Sequence, residues 1–300
     1  MKYSNSNTIV YMEKPKFYSL EATVLSHGWV NLLPFNWNGK SLSANIKIDE
    51  HIHGLVITES DNKICVNLDS RNIPNEELTK IFNKIKYSLN FNFPLYETIP
   101  ILKKNKKQKL IELVKRGWGR VLRGFSPWED AVKTLLTTNC TWDRTKKMVQ
   151  DICRINLSKS HDIKCTFPDP NSLLKKPSSL NDLKLGYRLH YLYELCQSVK
   201  RSEDYLSIYQ KESGCNANEA YKAITSLKGF GDYASKHLLV LLGWHKYLPI
   251  DREVLKYLNV NSTISGKIPK NIDHYREYGD YRFTVYKLER IYAKMNWIGS

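Results

Sequence analysis

Short apolar runs separated by Asn, Gly, Asp and Ser dominate the first third of the chain. LEATVLSHGW (20–29), LSANIKI (42–48), HGLVITES (53–60) and KICVNL (63–68) read as strands, and the alternation in SANIKI is that of a half-buried strand in an antiparallel sheet. The period then changes. NEELTKIFNKIKYSL (75–89) places Leu78, Ile81, Ile85 and Leu89 on one face, as a helix does. From about residue 108 the pattern stays helical, through KQKLIELVKR, PWEDAVKTLLTT, WDRTKKMVQDICRIN, NDLKLGYRLHYLYELCQSVKR, NEAYKAITSL, DYASKHLLVLLGW and DREVLKYL, with proline breaks at TFPDPNS and KKPSS. No internal repeat or low-complexity tract interrupts it. The chain therefore reads as α+β: an N-terminal antiparallel β-domain with a helix over 1–100, then an all-α domain of seven or more helices over 101–300.

Charge changes the picture more than composition does. The 46 basic side chains outweigh the 30 acidic ones, a net charge of +16 on 300 residues. Such an excess points to a polyanionic partner, nucleic acid or an anionic membrane surface, although a basic solvated face would look the same. A spanning helix is excluded, because the longest apolar run is HLLVLLGW (237–244), against about 20 residues needed to cross a bilayer. MKYSNSNTIVYMEKPK has no apolar core of a signal peptide, so an intracellular protein is expected, in cytoplasm or nucleoid (the nucleus in a eukaryote). KKNKKQK (103–109) reads as a solvated helix start rather than a localisation signal. The six cysteines at 65, 140, 153, 165, 196 and 215 form no CxxC pair, which argues against disulfides, a metal site or an iron–sulfur cluster. No metal and no organic cofactor is expected.

The candidate chemistry lies in LKGFGDYAS (227–235) and LPIDREV (248–254). Two glycines two apart, Gly229 and Gly231 around Phe230, allow a tight turn between helices and a close backbone approach to a ligand. The N–H groups opening the second helix then suit a phosphate. Alone, GxG is more often a helix cap and turn. Asp251 begins the next helix 20 residues after Gly231, where an Asp is commonly an N-cap.

Taken together, LxGxG, the small Ala234, an apolar helix and then Pro-x-Asp resemble the helix–hairpin–helix DNA glycosylase superfamily. The resemblance extends to FSPWEDAVKTLLTTNCTWDRTKKMVQDIC (125–153) and LGYRLHYLYEL (185–195), which look like the 8-oxoguanine glycosylase branch. FYSLEATVLSHGW looks like the start of the β-domain of that branch and of 3-methyladenine glycosylases. It covers roughly residues 17–260, and implies a TBP-like antiparallel β-domain followed by an all-α helix–hairpin–helix glycosylase domain. It also implies a double-stranded DNA partner containing a damaged or modified base, bound by a monomer. Asp251 matches the carboxylate that supports cleavage of the bond between base and sugar. Asn139 matches the residue filling the gap left by the flipped nucleotide, Arg144 and Arg188 match contacts to the base left opposite, and Tyr187 matches an aromatic wedge. Base extrusion costs a few kcal/mol, which such groups partly offset. Each has a plainer alternative: Tyr187 as core, the arginines as solvated charges, Asn139 as a cap.

One position departs from the bifunctional members, which carry a Lys two residues after the second hairpin glycine. This chain has Tyr233, and a phenol forms no imine. The expectation is a monofunctional glycosylase that excises a base with water and leaves an abasic site. A lyase using Lys236 is a separate hypothesis, and a non-catalytic DNA-binding module is another. Tyr233 and His237 share a helix face and are expected, with Trp142, to line the base pocket. Packing would explain His237 and Trp142 equally well. His27 and Trp29 of SHGW are candidates to join them. Arg144 and Arg188 favour an oxidised guanine, the missing Lys an alkylated purine. A Tyr, His and Trp pocket also admits a bulky modified pyrimidine such as a phage cytosine.

Overall fold

The computed structural model describes residues 7–155, 165–199, 202–258 and 273–297. Five strands, β1 (Thr8–Glu13), β2 (Asn36–Trp37), β3 (Leu42–Ile48), β4 (His51–Glu59) and β5 (Lys63–Leu68), form one antiparallel sheet in the order β1-β5-β4-β3-β2. In β3 every second residue, from Leu42 to Ile48, is buried, as the alternation predicts. β1 is an addition that the apolar runs did not reveal.

LEATVLSHGW is not a strand. Leu20–Val24 forms a short helix, α1, and Gly28–Asn31 a 3₁₀ turn. The reason is local: Ser19 caps α1 by accepting from the Ala22 amide at 3.2 Å, and the Glu59 carboxylate accepts from the Leu20 amide at 2.7 Å. These bonds use the amides that a sheet partner would need.

α2 (Asn75–Ser88) covers the sheet, followed by α3 (Thr98–Lys104) and α4 (Gln108–Lys115). α5 (Pro127–Thr137) is the central helix of the second half: every residue from Pro127 to Leu136 is buried. Ser126 caps it by accepting from Glu129 N at 3.2 Å, with Pro127 in the first turn, where it lacks no needed donor. Around it stand α6 (Trp142–Arg154), the short α7 (Pro170–Leu174) and α8 (Pro177–Asn181), then α9 (Arg188–Ser198), α10 (Ala217–Thr225), α11 (Asp232–Leu241), α12 (Arg252–Tyr257) and α13 (Arg282–Trp297). The helix read over NDLKLGYRLHYLYELCQSVKR begins only at Arg188, after a turn at Gly186 with φ +61°. The ends of that segment and of WDRTKKMVQDICRIN lie outside the described residues. α13 was not foreseen. No helix among the described residues is long and apolar enough to cross a membrane.

One buried acid ties the halves together. Asp130 of α5 accepts from Trp29 Nε1 and from the Gly124 amide on Oδ1, and from the Tyr87 hydroxyl on Oδ2, each at 2.7 Å. Burial raises its pKa to about 6, outweighing three donors that favour the charged form. Asp130→Ala orphans all three donors at about 1–3 kcal/mol each, so urea unfolding should show a loss of about 3 kcal/mol or more. Because the folded pKa lies above the unfolded one, this acid's contribution is complete at low pH and declines as pH rises through about 6. The gap between wild type and variant should narrow over that window.

Candidate active site

α10 and α11 form the hairpin. α10 starts on a capping box, with Asn216 Oδ1 accepting from the Asn218 and Glu219 amides at 3.0 Å. The turn buries Phe230 and uses its two glycines differently. Gly229 has φ +86°, and a Cβ there would lie 2.7 Å from Leu135 and 2.8 Å from Tyr191. Gly231 has an ordinary φ of −70°, and a Cβ there would meet nothing within 4 Å. The first glycine is demanded by conformation and packing, whereas the second leaves the amino end of α11 open, with no side-chain cap.

A groove of about 1240 Å³ runs past this end, lined by Gly229, Phe230, Gly231, Tyr233, Asp251, Asn139 and Tyr187 among others. Asp251 is partly buried behind Leu248 and Ile250, and caps α12 by accepting from Val254 N at 2.8 Å on Oδ1. The capping bond fixes the carboxylate at the groove wall and leaves Oδ2 for other work. Burial, then the charge of Asp251, push the Tyr233 phenol well above its ordinary pKa, so it stays protonated.

Behind Tyr233 the β-domain supplies an aromatic wall. His27 and His237 meet Nε2 to Nε2 at 3.0 Å, and the Trp29 ring lies 4.2 Å from His27 and 5.3 Å from His237. Tyr233 adds its ring 5.7 Å from His237. Trp142, 38% exposed, packs its six-membered ring on Gly28, where a Cβ would clash at 2.8 Å. Burial and then the positive charge of Lys287 lower His237 to about 4, while burial, His237 and Lys287 hold His27 well below its ordinary value. Both rings are therefore neutral at pH 7, and one Nε2–H donates to the bare Nε2 of the other. Lys287 of α13 is partly buried, with its pKa lowered to about 8 by burial, Lys294 and Arg290, against the opposing pull of Asp251.

The chain matches no protein-family model and no curated protein sequence. Solved structures do match. The 3-methyladenine DNA-glycosylase of Archaeoglobus fulgidus superposes with a TM-score of 0.70 at 18% identity, covering 93% of this chain and 96% of that one. The apo 8-oxoguanine glycosylase/lyase of Clostridium acetobutylicum gives 0.66 at 14% identity, covering 94% and 96%. The same enzyme in complex with double-stranded DNA gives 0.64 at 17%, covering 97% and 99%. The chain has the helix–hairpin–helix DNA glycosylase fold.

On this glycosylase fold the expected residues fall into two sets. Asp251, Tyr233, Gly229, Phe230, Gly231, Asn139 and Tyr187 share the groove. Asn139 is exposed on a tight turn with φ +46°, and Tyr187 is half exposed at the head of α9. His237 and Trp142 stand outside the groove lining: His237 borders it through Tyr233, and Trp142 packs on Gly28, which is also outside it. Each of the two arginines has an internal carbonyl partner. Arg188 is buried, with its guanidinium 4.6 Å from the Tyr187 ring centre and donating to the Thr138 carbonyl, beside Asn139. Arg144 donates to the Lys184 carbonyl. In this structure both brace the turns that carry Asn139 and Tyr187. Lys236 donates to Asp232 Oδ2 at 2.9 Å, one turn away on the same helix, and is not part of the groove lining. Sequence reasoning missed Lys287 and Tyr286. The apolar spacing Phe283, Leu288, Ile291, Tyr292 and Met295 would have signalled their helix, but not which way Lys287 faces.

Gly231→Ala separates folding from binding. The added methyl meets no protein atom, so stability should move by less than about 1 kcal/mol. If backbone approach to a phosphate is the role of this end, one charge-assisted hydrogen bond is lost. DNA affinity should then fall by about tenfold or more in a titration at fixed salt. Unchanged affinity would leave Gly231 without a binding role.

Proposed function

We propose that the protein is a monofunctional DNA N-glycosylase: it flips a damaged or modified base from the duplex, hydrolyses the bond to the sugar and leaves an abasic site. The observation that carries this reading is the carboxylate of Asp251, fixed by its capping bond at a groove that also holds the hairpin turn and Tyr233. Phosphates bind the open amino end of α11, and the net charge of +16 draws the duplex in. Tyr187 and Asn139 occupy the space that the extruded nucleotide leaves, partly offsetting an unstacking cost of a few kcal/mol. The base enters against Tyr233 and the aromatic wall. As the glycosidic bond lengthens, positive charge grows on the deoxyribose. The carboxylate of Asp251 stabilises that charge and orients the attacking water.

Tyr233 supports the water-only reaction, because a protonated phenol at the position matching the lysine of bifunctional glycosylases offers no amine for a Schiff base. The paired Lys236 does not replace it. An oxidised or alkylated purine is the substrate class in this reading, and the protein acts as a monomer.

End-labelled duplexes carrying 8-oxoguanine, alkylated adenine, hypoxanthine, uracil or modified cytosines test the proposal. Strand breaks should appear only after hot alkali, and the positive lane identifies the base. Breaks without alkali would contradict the monofunctional reading, and tight binding with no excision in any lane would contradict the glycosylase reading.

A further inference from the structure

One side chain joins the two groups that enter the duplex in the reading above. Arg188 opens α9 and is 6% exposed. Its guanidinium carbon lies 4.6 Å from the centre of the Tyr187 ring, and its Nη2 donates to the Thr138 carbonyl, one residue before Asn139. Its Nε is buried and has no hydrogen-bond partner among the described residues. The Nε–Nη2 edge of the guanidinium is therefore turned into the protein. Tyr187 meets a second ring, that of Tyr191, edge-on at 5.7 Å and 73°. Tyr191 in turn backs the hairpin, with its Cδ2 2.8 Å from where a Cβ on Gly229 would lie. Arg144 holds the other end of the loop that leads to Tyr187, through the Lys184 carbonyl. Neither arginine lines the groove. The wall built by the α5–α6 turn and α9 presents Thr138, Asn139, Thr141, Tyr187 and Tyr191, with no acid, lysine or arginine. The charged lining residues all belong to the hairpin or to the start of α12.

We propose that Arg188 is a positioning residue that locks Tyr187 and Asn139 into one preformed wedge, and that the protein excises its lesion whichever base stands opposite. The inference rests on the glycosylase reading and adds the rule by which that site accepts a duplex. A wedge that is already ordered loses little entropy on insertion, so more of its stacking offsets the cost of extruding the base. The cation beside the Tyr187 ring and the bond to the Thr138 carbonyl supply that order. The same contacts take the arginine out of base reading, because discrimination requires a donor or acceptor facing the base edge. On this wall the base left unpaired meets phenols, hydroxyls and the amide of Asn139. Hydroxyls and an amide both donate and accept, so each of the four bases finds a partner there. Selection then falls on the extruded base alone, and the substrate is defined by its lesion rather than by a base pair.

Two comparisons test this. A duplex with a tetrahydrofuran abasic analogue opposite cytosine, adenine, guanine or thymine has no pair to break, so its affinity reads the opposite base alone. Wild type should bind all four within about threefold, where one specific base contact would give about tenfold or more. Single-turnover excision of the preferred lesion opposite each base then compares wild type with Arg188→Met. The variant should be slower by about tenfold, and by the same factor against every opposite base, so that pairing strength cancels. Arg188→Lys keeps a cation beside Tyr187 and should recover much of the rate. A 2-aminopurine next to the lesion brightens when the stack opens; that rise should shrink in Arg188→Met while affinity for an undamaged duplex holds. Wild-type affinities that favour one opposite base by about tenfold or more would overturn the proposal, and this arm needs no variant to fold. An Arg188→Met defect confined to one opposite base would also overturn it, as would an undiminished fluorescence rise. Any of these with excision intact refutes only this inference; absence of excision from every duplex refutes the glycosylase reading beneath it.

Discussion

Asp130 is the point on which the arrangement depends. Its carboxyl receives Trp29 from the segment after α1, Tyr87 from α2 and the Gly124 amide from the loop before α5. Those donors come from both halves of the chain, so their common acceptor fixes how the β-domain sits on α5. Trp29 in turn packs at a tilt against His27, and His27 meets His237 on α11. The buried acid thus holds one ring of the aromatic wall directly and positions the others through it. Close by, Glu129 and Lys133 pair at 2.5 Å, fully buried between the rings of Phe35 and Phe167. Two ionisable features on one buried helix cost desolvation, which geometry and hydrogen bonding must offset. Their placement at the joint between sheet and helices is consistent with a role in fixing one arrangement.

From that joint the groove divides its tasks by backbone geometry. Gly229 turns the chain, Gly231 leaves a helix end open, and Asp251 uses one oxygen as a cap. A capping Asp is held at low entropy cost, because the helix it starts also orients it. The aromatic wall is uncharged, since burial keeps both histidines neutral. Charge in the groove lining comes from Lys228, Asp232, Asp251, Arg252 and Glu253.

Much of this was legible from local pattern. β3, β5 and α2 follow directly from their periods, and the turn at GFG and the capping bond of Asp251 follow from short-range backbone rules. What escaped depends on distant contacts. Leu20–Val24 opens a short apolar run that reads as a strand, yet Ser19 and the Glu59 carboxylate, 39 residues from Leu20, claim its amides for a helix. The meeting of His27 with His237 spans 210 residues. Arg188 reads as a solvated or DNA-facing charge, but a carbonyl at Thr138 takes its guanidinium.

If the carboxylate of Asp251 drives the breaking of the bond, Asp251→Asn isolates its charge. Asn caps helices as well as Asp does, so α12 and the groove wall should persist while the negative charge is removed. Single-turnover excision on the preferred lesion, measured with DNA affinity on the same preparation, decides the matter. The rate should fall by at least about a hundredfold with affinity nearly unchanged. An unaltered rate would contradict it and reduce Asp251 to a helix cap.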